Sequence, residues 1–176
     1  SETYKNPFQV DSPTTVKAIA VDPETGDQTQ AISKYFDIAK KSWRVVQTSS
    51  GDMEGVEKMI DEDPKTFWST DESVKMPQAV VIDLGDIYKL TGFTYWPNQE
   101  RYPFGIITNY EFSVSNNGKN WGTVARGEFS NIVNSRLEQT VNFEKTAARY
   151  IKLRGVKVEG EDFRTSFPEI GVLTEK

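Results

Sequence analysis

The sequence predicts an all-β protein, an antiparallel β-sandwich or jelly roll. Three observations point there. Apolar residues alternate in short runs, turn residues (Gly, Pro, Asn, Asp) separate the runs, and no stretch keeps a helical period. About eight such runs at this spacing suit packed antiparallel sheets.

In chain order, Thr15 to Val21 alternates and is followed by the turn Asp22-Pro23-Glu24-Thr25-Gly26-Asp27. A second run ends in Tyr35-Phe36-Asp37-Ile38, so the pair reads as a hairpin. The Lys40-Lys41 pair then separates two regions, and Trp43, Trp68, Trp96 and Trp121 all lie beyond it. We place a boundary there, giving segments 1–40 and 41–176. The first is too small to bury a core alone. It reads as the second half of another β-sandwich, or else as extra strands on the main domain.

The second region opens with a strand at Trp43 to Thr48, and Val56 to Ile60 fits one helical turn. Ala79 to Leu84 is a strand closed by Gly85, and Leu90 to Trp96 is another. Asn109 to Ser115 and Trp121 to Arg126 flank Asn116-Asn117-Gly118-Lys119. That is a hairpin by its Asn-Gly pair. Leu137 to Phe143 and Arg149 to Leu153 alternate, and Ile170 to Thr174 is the last run.

Composition excludes much. The 176 residues carry 36% hydrophobic side chains, including 10 Phe, 7 Tyr and 4 Trp, enough for a core. No apolar run approaches the roughly 20 residues of a membrane helix. The formal charge of −5 lacks the footprint of a nucleic-acid binder and opposes binding to anionic membranes. There is no Cys, hence no disulfide and no thiolate chemistry. There is no His, hence no Ser-His-Asp triad and no histidine metal site. The chain begins at Ser1 without a start Met or signal peptide, so it reads as a piece of something longer.

One loop has metal-binding chemistry. Met59-Ile60-Asp61-Glu62-Asp63-Pro64-Lys65-Thr66-Phe67-Trp68 sets two carboxylates two apart and a Thr hydroxyl three further on. Ca²⁺ takes about six to eight oxygens at about 2.3–2.6 Å, and such a loop can offer several. A capped turn with ordinary surface acids is the competing reading of the same spacing.

Other motifs follow in order: Pro77, then Ile82-Asp83-Leu84-Gly85, Tyr95-Trp96-Pro97, and the run from Tyr110 to Trp121. Ala148-Arg149-Tyr150-Ile151-Lys152-Leu153 and Pro168-Glu169-Ile170 complete the series. Together with the Asp61 loop and Phe67-Trp68, this pattern resembles the discoidin-like, coagulation-factor type C family over about residues 43–174. Within it, the pattern is most similar to the bacterial family 32 carbohydrate-binding modules. The resemblance implies an eight-stranded jelly roll of the galactose-binding-domain-like kind, with one structural Ca²⁺. Carried onto this chain, the implied ligands are the Lys58 carbonyl, Asp61, Asp63, Thr66, the Pro168 carbonyl and Glu169. The family's loop glycine is Glu62 here, and a glycine there marks a crowded or positive-φ position. Residues 4–38, with Tyr4-Lys5-Asn6-Pro7-Phe8 and Thr15 to Ala20, resemble the end of an Ig-like domain. That domain follows the catalytic domains of secreted bacterial hexosaminidases and fucosidases. The implied parent is a chitobiase-like glycosidase, acting outside the cell or in the periplasm.

The resemblance also marks a ligand end. Its loops are Asp71-Glu72-Ser73, Asn98 to Phe104, Asn131 to Arg136, and Glu159 to Arg164. A sugar presents a ring face to aromatic groups and hydroxyl pairs to Arg, Asn and carboxylates. Asn98, Arg101, Tyr102, Phe163 and Arg164 have that chemistry. Phe104 and Phe163 are as readily loop anchors, and Trp68, Trp96 and Trp121 read as core. The residues of the galactose-binding members are absent: their loop His and following Trp fall at Ser69 and Glu72, and their Pro-Arg pair at Pro97-Asn98.

The expected function is a non-catalytic, monomeric glycan-binding module of a secreted glycosidase, with carbohydrate of N-acetylhexosamine or galactose type as its partner. A structural spacer or protein-contact module is the alternative. A carboxylate-pair glycosidase comes third, because paired acids must face each other across a cleft.

Overall fold

The computed structural model describes all residues except Ser1, Gln9, Asp11, Ser12, Glu161, Asp162 and Lys176. The chain divides into two compact units, residues 1–39 and 40–175.

The first unit is built on a hairpin of β1 (Thr14–Ala18) and β2 (Ile32–Phe36), paired antiparallel from Thr14 opposite Phe36 to Ala18 opposite Ile32. Its turn is local chemistry. The Asp22 carboxylate accepts the backbone N–H groups of Glu24 at 2.8 Å and Thr25 at 3.1 Å, and Gly26 takes φ +78°. None of its described side chains is fully buried, and Tyr4, Phe8, Ile19, Val21, Ile32 and Phe36 are exposed.

The second unit holds β3 (Arg44–Thr48), β4 (Trp68–Ser69), β5 (Gln78–Trp96), β6 (Ile107–Ser115) and β7 (Gly122–Glu128). It continues with β8 (Gln139–Val158), β9 (Ser166–Phe167) and β10 (Glu169–Thr174). The large sheet runs β10-β5-β8-β6-β7, with β3 also on β5, and every pairing is antiparallel. Among the described residues, helix is confined to the 3₁₀ turns Lys40–Ser42 and Val56–Met59. The alternation seen in the sequence is the burial pattern: Phe93 and Tyr95 face inward between half-exposed Thr94 and Trp96. Phe93 stacks on Phe112 at 4.1 Å between ring centres, and Phe129 stacks on Tyr110 at 4.3 Å. Val80, Ile82, Leu84, Leu90, Ile151 and Leu153 fill the rest of this core.

Several elements differ from the sequence reading. Ala79 to Leu84 and Leu90 to Trp96 belong to one strand, β5, because Gly85 does not end it. Gly85 takes φ +84° against Ser42, and the register with β8 shifts between Asp83 and Tyr88. The strand's first part pairs with β3 and its last part with β10, so a bulge carries one strand across the sandwich. β8 likewise joins the two runs expected at 137–143 and 149–153. The Asn117-Gly118 pair does not form a two-residue turn. The Ser115 hydroxyl and Asn117 amide oxygen accept four backbone N–H groups and close a wider loop, with only Gly118 at positive φ. Trp43 and Trp68 are core, while Trp96 and Trp121 are half-buried. Trp121 lies under the Lys152 ammonium, 4.2 Å from its ring centre.

Candidate functional site

Two short strands gather the loops at the expected ligand end. β4 pairs with β9, Trp68 opposite Phe167 and Ser69 opposite Ser166. Beyond that pair, Thr70 N–H donates to the Thr165 carbonyl at 3.1 Å, and Thr165 N–H donates to the Thr70 hydroxyl at 2.8 Å. The Gln78 amide donates to the carbonyls of Val74 and Phe163. Ser166 is the hub. Its hydroxyl donates to the Phe104 carbonyl at 2.7 Å and accepts from the Asn98 amide at 3.2 Å. Its N–H donates to the Gly105 carbonyl at 2.8 Å, and its carbonyl accepts the Tyr95 hydroxyl at 3.1 Å. Burial pushes the Tyr95 phenol far up, so it stays a neutral donor. Thr70, Gln78, Asn98, Thr165 and Ser166 are all buried. Bonded in this way while buried, these groups hold the loop end in one geometry, although the Gln78 amide oxygen finds no partner among the described residues.

Asn98 therefore does not take the role expected of it. It is fully buried, its amide oxygen accepts Glu100 N–H at 2.9 Å, and its amide nitrogen serves Ser166. It shapes the loop and offers nothing to a ligand. The other expected residues reach the surface. Tyr102 is 78% exposed and Phe163 57%. The Arg101 guanidinium lies 5.4 Å from the Tyr102 ring centre. The Arg164 guanidinium stacks over Phe104 at 4.1 Å and approaches the Glu72 carboxylate at 3.4 Å. Phe104 is half-buried and meets Phe67 edge to face at 5.7 Å, so it anchors its loop. Arg136 closes the segment by donating to the carbonyls of Asn98 and Glu100, at 3.1 and 2.6 Å. The loop expected at 159–164 includes Glu161 and Asp162, which lie outside the described residues. The result is a firm floor bearing exposed aromatic rings and guanidinium groups, suited to a ring face flanked by hydroxyls.

The expected metal ligands lie elsewhere, around residues 58–66. The Thr66 hydroxyl lies 2.7 Å from the Asp61 carboxylate, 3.1 Å from the Asp63 carbonyl and 3.4 Å from the Lys58 carbonyl. Asp63 instead accepts Lys65 N–H at 3.0 Å. Pro168 and Glu169 are buried at the start of β10. Glu169 accepts Glu62 N–H at 3.1 Å and is paired with Lys40. Glu62 sits at φ +67°, the conformation its glycine position implies. Burial pushes the Lys40 ammonium down to about 8, while the charges of Glu62, Glu138 and Asp61 pull the other way. Among the described residues, no three carboxylates gather as a metal cage. Within the chain, Glu169 is engaged by the Lys40 ammonium and one Asp63 carboxylate oxygen by the Lys65 N–H.

The family described as F5/8 type C domain matches residues 39–169. The chain belongs to that family. A galactose oxidase of Gibberella zeae is 31% identical to this F5/8 type C domain protein over 141 residues. That match covers 77% of this chain and 20% of the relative. The chain thus spans about a fifth of the length of the curated relatives it matches. Among solved structures, CpGH89CBM32-5 of Clostridium perfringens, in complex with GalNAc-β-1,3-galactose, is 27% identical with a TM-score of 0.68. The match covers 77% of this chain and 98% of that one. The C-terminal domain of a Bacteroides fragilis chitobiase shares the fold at 22% identity and a TM-score of 0.66, over 78% of this chain and 97% of that one.

Sequence reasoning missed the buried groups of this F5/8 type C domain. Thr70, Gln78, Thr165 and Ser166 look like ordinary loop and strand-edge residues in the sequence. Nothing in their spacing signals that they meet. The β4–β9 pair is also too short to leave an alternating pattern.

Proposed function

We propose that this F5/8 type C domain is a non-catalytic glycan-binding module that holds a glycosidase against its carbohydrate. The observation that carries this is the loop end itself. Tyr102, Phe163 and Arg101 stand at the surface of segments tied together by buried hydrogen bonds through Ser166 and Gln78. Rigid loops with exposed aromatic rings bind sugars without prior ordering. The likeness to a module solved with GalNAc-β-1,3-galactose supports an N-acetylhexosamine- or galactose-type ligand. Burial of Asn98 and the residues Ser69 and Glu72 mean that the contacts differ from the galactose constellation. The likeness to a chitobiase domain supports a chitobiase-like parent, secreted and acting on extracellular glycan. Residues 1–39 then read as the end of a preceding Ig-like domain, and the module acts as a monomer. A shallow site of this kind binds near millimolar, about −4 kcal/mol, and tethering multiplies its effect on the attached enzyme.

The test is a glycan array followed by chemical-shift mapping with the best sugar. Shifts should centre on residues 99–104 and 163–164. Tyr102→Ala should weaken binding by about 1–3 kcal/mol with an unchanged melting temperature. Shifts confined to another face would refute the placement, and an array without any hit would favour the spacer reading.

A further inference from the structure

The loop at 58–66 has the outline of a cation-binding turn, yet a cation of the chain's own already serves it. Lys40 begins the 3₁₀ turn Lys40–Ser42 and sends its side chain to the start of β10. Its ammonium donates to the Glu169 carboxylate and, at 2.6 Å, to the Ile170 carbonyl. It lies 5.2 Å from the centre of the Trp43 ring. Only 14% of the Lys40 side chain and 8% of that of Glu169 reach solvent. Two oxygens and an aromatic face, shielded from water, make a site for one monovalent cation.

A metal in such a domain would do two things: neutralise a buried carboxylate and fasten a loop to the last strand. Both are done here by the chain. The ammonium neutralises Glu169. The second Glu169 oxygen takes the N–H of Glu62, whose φ of +67° places it in the left-handed region. On the loop's other side the Thr66 hydroxyl is already satisfied by Asp61. A divalent ion at Glu169 would either face the ammonium or expel it. Like charges in contact and a buried, unpaired ammonium are both unfavourable.

We propose that Lys40 is a tethered cation standing in place of a bound metal, so that this domain folds and keeps its loops without a divalent ion. The side chain cannot diffuse away, so the site is filled whenever the domain is folded.

The full chain tests this directly. Its melting temperature should be the same in excess EDTA and in millimolar CaCl₂. Titration with Tb³⁺ should give no saturable emission sensitised by Trp43. Lys40→Ala should lower the melting temperature by about 5 °C or more, the scale of an orphaned buried carboxylate. Calcium should then restore part of that loss in the variant alone. A chelator-induced drop in the wild type, stoichiometric Tb³⁺ binding to it, or a Lys40→Ala variant that melts like the wild type would each overturn the assignment. If the variant does not fold, the wild-type measurements decide.

Discussion

Asp83 on β5 presents both carboxylate oxygens to Arg149 of β8, each at 2.9 Å. These bonds, helped by the Gly85 N–H, hold its carboxyl below the usual carboxylate range. A depressed folded value stabilises the protein above the unfolded value of 3.8 and is lost as pH falls through the folded one. Arg149 is partly exposed, so solvent screening keeps the pair's contribution small. Asp83→Asn should therefore melt slightly lower than the wild type at neutral pH. The gap should close as pH drops below about 3.8, and a gap that persists in acid would mean that packing rather than charge is responsible. At the ligand end, residue type and residue role part company. Tyr102 and Asn98 both have sugar-binding chemistry in the sequence, but one is exposed and the other fully buried. Composition names the chemistry a side chain can do, and burial decides whether a ligand meets it.

At the level of elements, the loop from Trp96 to Ile107 depends on one close approach. Gly105 takes φ +63°, and a Cβ there would lie 2.7 Å from both the Arg164 carbonyl oxygen and the Ser166 nitrogen. Both atoms are backbone, so neither can turn aside. Gly105→Ala should cost about 2–4 kcal/mol, combining left-handed strain with displacement of the 164–166 segment. Calorimetry should show a fall of about 5 °C or more, and glycan affinity should drop with it because Arg164 moves. A variant that melts like the wild type would mean that the two loops are not rigidly joined. Strand positions were legible because half-buried strands leave an alternating trace. Strand ends were less so. Gly85 reads as a stop but acts as a bulge, and Asn117-Gly118 reads as a tight turn but sits in a loop capped by Ser115 and Asn117. In each case a side chain brought in from outside the local window sets the outcome, or a short polar group competes for the backbone.

At the level of the whole molecule, residues 40–175 contain every buried core side chain that the structure describes. Expressed alone, with Lys40 retained, they should unfold in one cooperative transition and keep the chemical-shift dispersion of the full chain. Loss of cooperativity would show that residues 1–39 are required for folding. The sequence by itself determined the all-β class and the order of the main strands. It could do so because alternation, turn chemistry and ordered motifs are local or nearly local properties of the chain. Only the tertiary structure decided that Asn98 is buried, that Ser166 and Gln78 bind the loops together, and that Lys40 reaches Glu169 from 129 residues away. Those outcomes depend on which backbones meet in space, and the free energy of a polar or charged group is set by its neighbours there, which sequence spacing does not encode.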